Sequence, residues 1–258
     1  MITALDSVPR NASTPLWPKP GYGVMGVLGG MGPMATIDFL QKMLAHTPAR
    51  RDQEHVPVVV ASLPQIPDRT AAFQRRGPSP LAALVESGQR LVDAGASALV
   101  MPCNTAHLWF EEMERTLKVP MLHIVDATLA TIGARANGRI RSIGLLATAA
   151  TIDSHLYPAR AALRPSTEQL KWITPTVAEM SDLVSPAIAA VKAGRTGDAT
   201  ERLAAACQAL RQRGAEAVLM GCTEIPLAIC EADVGLPLVD ATDALAAQAV
   251  RWSRTWGT

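Results

Sequence analysis

Gly95-Ala96-Ser97-Ala98-Leu99-Val100-Met101-Pro102-Cys103-Asn104-Thr105 and Gly214-Ala215-Glu216-Ala217-Val218-Leu219-Met220-Gly221-Cys222-Thr223-Glu224 follow one pattern twice. In each, a glycine opens an apolar run of strand character that closes on a cysteine followed by polar residues. The cysteines stand 119 positions apart, and the opening glycines keep the same offset.

The repeat continues outward from these frames. Gly26-Val27-Leu28-Gly29-Gly30 returns as Gly144-Leu145-Leu146-Ala147-Thr148, 118 positions later. Ile37-Asp38 is echoed by Ile152-Asp153. Val-Pro-Met-Leu at 119–122 is echoed by Leu-Pro-Leu-Val at 236–239, leading to Asp126 and Asp240. Offsets this steady indicate a duplicated half.

Each half alternates apolar strand runs with periodic helical stretches. Strands are expected at 23–28, 56–61, 97–102 and 120–125, then at 141–146, 170–173, 216–220 and 236–239. Helices are expected at 33–46, 78–94, 104–117 and 126–136, then at 151–163, 177–193, 197–213 and 240–254. Strands separated by helices of this length form parallel sheets. Runs apolar throughout suit strands covered on both faces. The fold class is therefore α/β: two pseudo-symmetric three-layer α/β domains, each with a mainly parallel four-stranded sheet, and an active site in the cleft between them. The expected division is a disordered extension at 1–20, a first domain at 21–126 plus 240–258, and a second at 127–239. Residues 1–20 carry Pro9, Pro15, Pro18 and Pro20 with no apolar segment, unlike a secretory signal.

Composition narrows the function. The chain has 258 residues, 48% hydrophobic and 18% charged, so it can bury a substantial core. A net charge of +1 and 4% aromatic residues argue against nucleic-acid binding. No apolar run reaches the roughly 20 residues of a membrane span. The four cysteines, Cys103, Cys207, Cys222 and Cys230, are widely spaced. Neither a disulfide framework nor a metal site is expected, and the thiols suit a reducing cytoplasm.

In parallel sheets, ligands bind beyond the carboxyl ends of the strands. Cys103 and Cys222 both fall there, each before an expected helix whose N-terminus would favour a thiolate. Buried structural cysteines are the ordinary alternative, but repeat-equivalent strand ends argue for a paired role. Cys207, on an Ala-rich helical face, reads as packing. Asn104, Thr105, Thr223 and Glu224 put polar groups beside the thiols and could hold a substrate carboxylate and ammonium; Asn and Thr also suit helix caps. Pro64-Gln65-Ile66-Pro67-Asp68-Arg69-Thr70 gives Arg69 a stiff base for a bidentate carboxylate contact, with an exposed surface arginine as the alternative. Lys192 precedes Gly194 near a helix end, where a solvated lysine is ordinary. His107 could tune Cys103 and equally suits a helix surface. Gly30-Met31-Gly32-Pro33-Met34-Ala35 fits a dinucleotide fingerprint by spacing, but no acidic residue ends the second strand. It reads better as a tight, anion-friendly loop. Two opposed thiols suit a reaction with a base and an acid on opposite faces of one carbon, as in racemisation.

At these motifs the chain resembles the aspartate/glutamate racemase family. The resemblance is carried by 29–36 (Gly-Gly-Met-Gly-Pro-Met-Ala-Thr), 47–55, 64–70, Met-Pro-Cys-Asn-Thr-Ala-His at 101–107, Leu-Leu-Ala-Thr at 145–148, Val-Lys-Ala-Gly at 191–194 and Gly-Cys-Thr-Glu at 221–224. Glutamate racemases typically show Asp-Ser-Gly in the first loop and Gly-Cys-Thr-His at the second cysteine, so this chain leans toward the aspartate branch. The resemblance implies cofactor-independent racemisation with Cys103 and Cys222 as the two acid/base groups. It implies Arg69 and Lys192 as cations for the two carboxylates of a dicarboxylic amino acid, and Asn104, Thr105, Thr148 and Thr223 as the polar pocket. It also implies a homodimer. One departure is Ser62-Leu63 before Pro64, where relatives often carry Asn. The other readings are a glutamate or broader amino-acid racemase, an isomerase or decarboxylase of small dicarboxylates on the same scaffold, and a non-catalytic amino-acid-binding protein.

Overall fold

The structure is a computed structural model that describes residues 22–136 and 140–256. The expected extension at 1–20 lies outside the described residues. Among the described residues, eight strands form two sheets. The first holds β1 (Met25–Gly29), β2 (Val58–Ser62), β3 (Ala98–Val100) and β4 (Met121–Leu122) in the order β2-β1-β3-β4. The second holds β5 (Ser142–Leu146), β6 (Lys171–Ile173), β7 (Ala217–Met220) and β8 (Leu238–Asp240) in the order β6-β5-β7-β8. Every pairing is parallel, with Val27 opposite both Val60 and Val100 in one sheet, and Gly144 opposite Ile173 and Val218 in the other. The repeat in the sequence is thus a repeat of topology.

That topology places the site. Strand order reverses between β1 and β3, and again between β5 and β7. Such switch points open a crevice at the strands' carboxyl ends. The glycine loop follows β1, Cys103 follows β3, Thr148 follows β5 and Cys222 follows β7.

One core cluster spans the two sheets, and each half has a further cluster of its own. Met25, Val27, Ile143, Leu145 and Leu219 pack with Leu129 and Ile132 of the helix Ile124–Ala136 and with Leu245 and Val250 of the helix Ala241–Arg254. Each fully buried aliphatic side chain contributes roughly 1.5–3 kcal/mol. The repeat-equivalent aspartates fasten the halves together. Asp126 accepts from Arg160 at 2.8 and 2.6 Å and pairs with Arg164 at 3.0 Å. Asp240 pairs with Lys42 at 2.6 Å and caps the helix that follows it. No helix among the described residues is long and apolar enough to cross a membrane.

Several expectations need correction. β2 is an edge strand whose burial alternates, with Val58 and Val60 exposed, so it is not covered on both faces. The helix expected at 104–117 begins as a 3-10 helix, Thr105–Trp109, and becomes α-helical only at Phe110–Leu117. The cause is local: the His107 ring bonds the Cys103 carbonyl at 2.8 Å. His107 N–H turns instead to the Asn104 carbonyl at 3.0 Å. The stretch 151–163 splits into Ala149–Asp153 and Leu156–Ala161, with His155 left-handed at the break. The stretch 177–193 passes through a π segment, Met180–Val184, before the helix Ser185–Lys192. Pro186, which has no N–H for the carbonyl one turn back, accounts for the widening. The short helices Arg69–Phe73 and Glu231–Val234 were not legible.

Candidate active site

The glycine loop after β1 is held by its own backbone and by Thr36. Gly30 adopts φ +91°, and a Cβ there would lie 2.4 Å from the Leu63 nitrogen, so only glycine fits. Thr36 Oγ1 accepts from Gly30 N–H at 2.9 Å and donates to the Gly32 carbonyl at 3.1 Å. Gly32 N–H then donates to Glu224 Oε1 at 3.1 Å. The loop is anion-binding, as its sequence suggests, and the anion it holds is a side chain from the other half of the chain.

The other oxygen of Glu224 faces a thiol. Cys222 Sγ donates to Glu224 Oε2 at 3.0 Å, and Thr223 Oγ1 donates to the same oxygen at 3.4 Å. All three residues are buried. Burial pushes the Cys222 thiol well above its ordinary pKa, and the Glu224 carboxylate adds to the rise against the opposing charge of Lys192. Cys222 therefore stands protonated. The expected helix-dipole depression is absent because the only helical turn here is the three-residue Ile225–Leu227. Cys103 likewise precedes a 3-10 turn rather than an α-helix, and its N–H is taken by the Met101 carbonyl at 2.7 Å. His107 anchors that turn: its ring meets the Cys103 carbonyl on one side and accepts from Ile124 N–H at 3.1 Å on the other. Burial drives its pKa down to about 4, so it is a neutral structural pin.

Thr105, Thr148 and Thr151 form a triangle of hydroxyls at 2.8, 3.0 and 3.0 Å, joining the segment after Cys103 to the helix capped by Thr148. Asn104 Oδ1 accepts from the Tyr157 hydroxyl at 2.6 Å. Arg69 is 9% exposed, which rules out the surface reading. Its Nη1 donates to the carbonyls of Ile66 and Pro67, both at 3.1 Å, so the Pro-rich loop braces the guanidinium. Arg69 Nε and Asn104 Nδ2 are buried donors without partners. Lys192 ends its helix with an exposed stem. Desolvation would lower its pKa, but on balance it is raised, first of all by the Glu224 carboxylate.

Cys103, Cys222, Arg69, Asn104, Thr105, Thr148, Lys192, Thr223 and Glu224 all line one small chamber. Its volume is about 10 Å³, room for a single water. Met31, Asp68 and Thr70 line it too and were missed. Asp68 had a signal, since it caps the helix of Arg69 by accepting from Ala71 N–H at 2.7 Å. Thr151 and Tyr157 bond chamber residues across the two halves, and no local motif marks either. Cys207 packs in the core, where burial pushes its thiol up to about 12. Among the described residues no group of three or more His, Cys, Asp or Glu side chains could hold a metal ion.

Residues 28–249 match the family described as Asp/Glu/Hydantoin racemase. The chain belongs to that family. This racemase is similar to the solved aspartate racemase of Picrophilus torridus, with TM-score 0.80 and 30% identity, over 90% of this chain and 94% of that one. It is 25% identical to the broad specificity amino-acid racemase RacX of Bacillus subtilis, over 88% of this chain and 96% of that protein. A glutamate racemase from Francisella tularensis, solved with D-glutamate, shares the fold alone, with TM-score 0.62 and 14% identity over 90% of this chain and 80% of that one. The enzyme class of this racemase is amino-acid racemisation.

Proposed function

We propose that this racemase interconverts the enantiomers of an acidic amino acid, aspartate foremost, by a cofactor-independent mechanism with Cys103 and Cys222 as the two acid/base groups. The observation that carries this reading is a pair of unpartnered buried donors, Arg69 Nε and Asn104 Nδ2, on two residues that line the same chamber as both thiols. Buried donors left unsatisfied cost about 1–3 kcal/mol each, a cost an anionic ligand would relieve. Two cations, Arg69 and Lys192, with one anion, Glu224, complement the charges of a dicarboxylic amino acid. Thr105, Thr148 and Thr223 supply further hydroxyls.

In one direction a Cys103 thiolate removes the α-proton and the Cys222 thiol delivers one to the opposite face. In the other, Cys222 must first lose its proton, and Glu224 Oε2 is the base within reach at 3.0 Å. Negative charge grows on the substrate carboxylate as the C–H bond breaks, and preformed donors stabilise it most in a site shut off from water. A chamber of about 10 Å³ admits no amino acid without movement, so the halves part to take it in. The cavity of about 490 Å³ beside it, which also touches Arg69, Lys192 and Glu224, is the approach. Its apolar wall of Met34, Pro64 and Ile66, together with the similarity to the Bacillus subtilis protein, favours a wider amino-acid range as the second reading.

The same proposal holds the protein to be a cytoplasmic homodimer of two-domain subunits divided at 126/127 and 239/240. Free thiols suit that compartment. The exposed Met34, Ile37, Leu44, Val58 and Val60, on the helix Pro33–His46 and the edge strand β2, are the apolar surface a second subunit would cover. The test is incubation of D- and L-aspartate and D- and L-glutamate in D₂O. Deuterium at the α-carbon of aspartate with loss of optical activity is expected; Cys103→Ala and Cys222→Ala each abolish the loss of optical activity, while α-proton exchange survives for the one enantiomer whose thiol remains. Full racemisation by both variants overturns the two-thiol mechanism.

A further inference from the structure

We infer that Tyr157 is a positioning residue that fixes which end of the Asn104 amide faces the reacting carbon; this rests on the racemisation reading above. Tyr157 comes from the helix Leu156–Ala161 in the second half of the chain, and its side chain is fully buried. Asn104 follows Cys103 in the first half. The two meet only through the phenol, which donates to Asn104 Oδ1 at 2.6 Å.

An asparagine amide has one acceptor end and one donor end of nearly equal shape. Rotated by half a turn, Asn104 would turn its oxygen into the chamber and its NH₂ toward the phenol. The chamber would then meet a substrate carboxylate with an acceptor. A phenol hydrogen has to find an acceptor, and the geometry gives it Oδ1 at 2.6 Å; the other hydroxyl beside the phenol, that of Thr128, donates to the Ile124 carbonyl. Burial also pushes the phenol pKa far up, so the hydroxyl keeps its hydrogen at any working pH. With Oδ1 occupied, Nδ2 is left as a buried donor without a partner, on a residue that lines the chamber.

The consequence is a polarity that neither residue has alone. Asn104 can stabilise charge on the substrate carboxylate only while Tyr157 holds it the right way round. A donor aimed at developing charge matters more in the transition state than in the bound ground state, so its loss falls on kcat as well as KM. Because the bond crosses between the halves, the donor is also set only when they close.

Tyr157→Phe keeps the ring and removes the hydroxyl. Removing a donor of this kind outright costs roughly 10²–10³-fold in kcat. Freeing the amide to turn costs a part of that, about tenfold or more on the same scale. The expected result is such a loss in α-deuterium exchange in Tyr157→Phe, mainly in kcat, with the fold retained and the melting temperature lowered by no more than the loss of one buried hydrogen bond explains. Adding Tyr157→Phe to Asn104→Ala should cost nothing further, because the two act as a unit. Asn104→Asp, which still accepts from the phenol but offers no donor, should lose at least as much as Tyr157→Phe. The second readout is succinate binding by calorimetry, which needs no turnover, and Tyr157→Phe should weaken it. Exchange and succinate binding within twofold of the parent, or losses that add fully in the double variant, overturn the role of Tyr157. A parent protein that binds succinate in a Tyr157-dependent way but never exchanges deuterium overturns racemisation and leaves the strut standing. A parent that does neither overturns both.

Discussion

Replacing Glu224 by glutamine removes the base that faces the Cys222 thiol while keeping its shape. An amide oxygen at Oε1 can still accept from Gly32 N–H, so the loop after β1 keeps its anchor. What disappears is the carboxylate that accepts from Cys222 at 3.0 Å. A positioned general base is worth roughly 10²–10⁴-fold, or about 2.7–5.4 kcal/mol at 1.36 kcal/mol per decade. Two enantiomers in water have equal free energies, so kcat/KM for complete racemisation must fall equally in both directions. Exchange of the α-proton with solvent carries no such constraint. The enantiomer attacked by Cys222 should lose deuterium exchange by that factor, while the enantiomer attacked by Cys103 keeps most of its own. The assay is proton NMR of each pure enantiomer in D₂O. Equal loss of exchange from both, or no loss from either, refutes Glu224 as the base for Cys222.

Arg69→Lys keeps the charge but cannot brace on the Ile66 and Pro67 carbonyls and still present Nε to the chamber. Loss of one charge-assisted hydrogen bond, about 1.5–3 kcal/mol, should raise the dissociation constant for succinate roughly 10–100-fold; a change under threefold in calorimetry removes Arg69 from the anion site. Stability should fall in acid through His107, whose folded pKa of about 4 lies below its ordinary 6.5. Its contribution is complete above the unfolded value, about pH 6.5, and is lost as pH falls toward 4, worth about 3 kcal/mol over that window. Buried His123, lowered by burial and by its neighbour His107, acts in the same direction. Urea titrations at pH 7 and pH 4.5 that give the same stability refute the neutral pin.

How much of this was legible follows from the range of the forces involved. The eight strands and their division into halves could be read because apolar runs and repeat offsets stand in the sequence itself; the strand order and its switch points came only from the fold. Cys103, Cys222, Asn104, Thr223 and Glu224 announced themselves by standing immediately after strands, where parallel sheets put their ligand sites. Arg69 was visible through the two prolines that stiffen its loop. The misread segments share a different cause. At 104–117 and at 177–193, a side chain's capture of a carbonyl and a missing N–H changed the hydrogen-bond register of a helix without disturbing its apolar periodicity. Tyr157 and Thr151 carry no local mark, since each matters only for the partner it meets from the other half of the chain.

The amino-acid order alone determined a duplicated parallel α/β chain with one thiol delivered at the end of a corresponding strand in each copy. Tertiary structure decided the chemical state of that pair. Burial against Glu224 keeps Cys222 protonated, reversing the depression expected from a helix end, and a phenol from the far half decides which face of the Asn104 amide looks inward. Strand position follows from patterns a few residues long. Charge state and polarity depend on desolvation and on neighbours brought together by folding, with Tyr157 53 positions from Asn104 and Gly32 192 positions from Glu224.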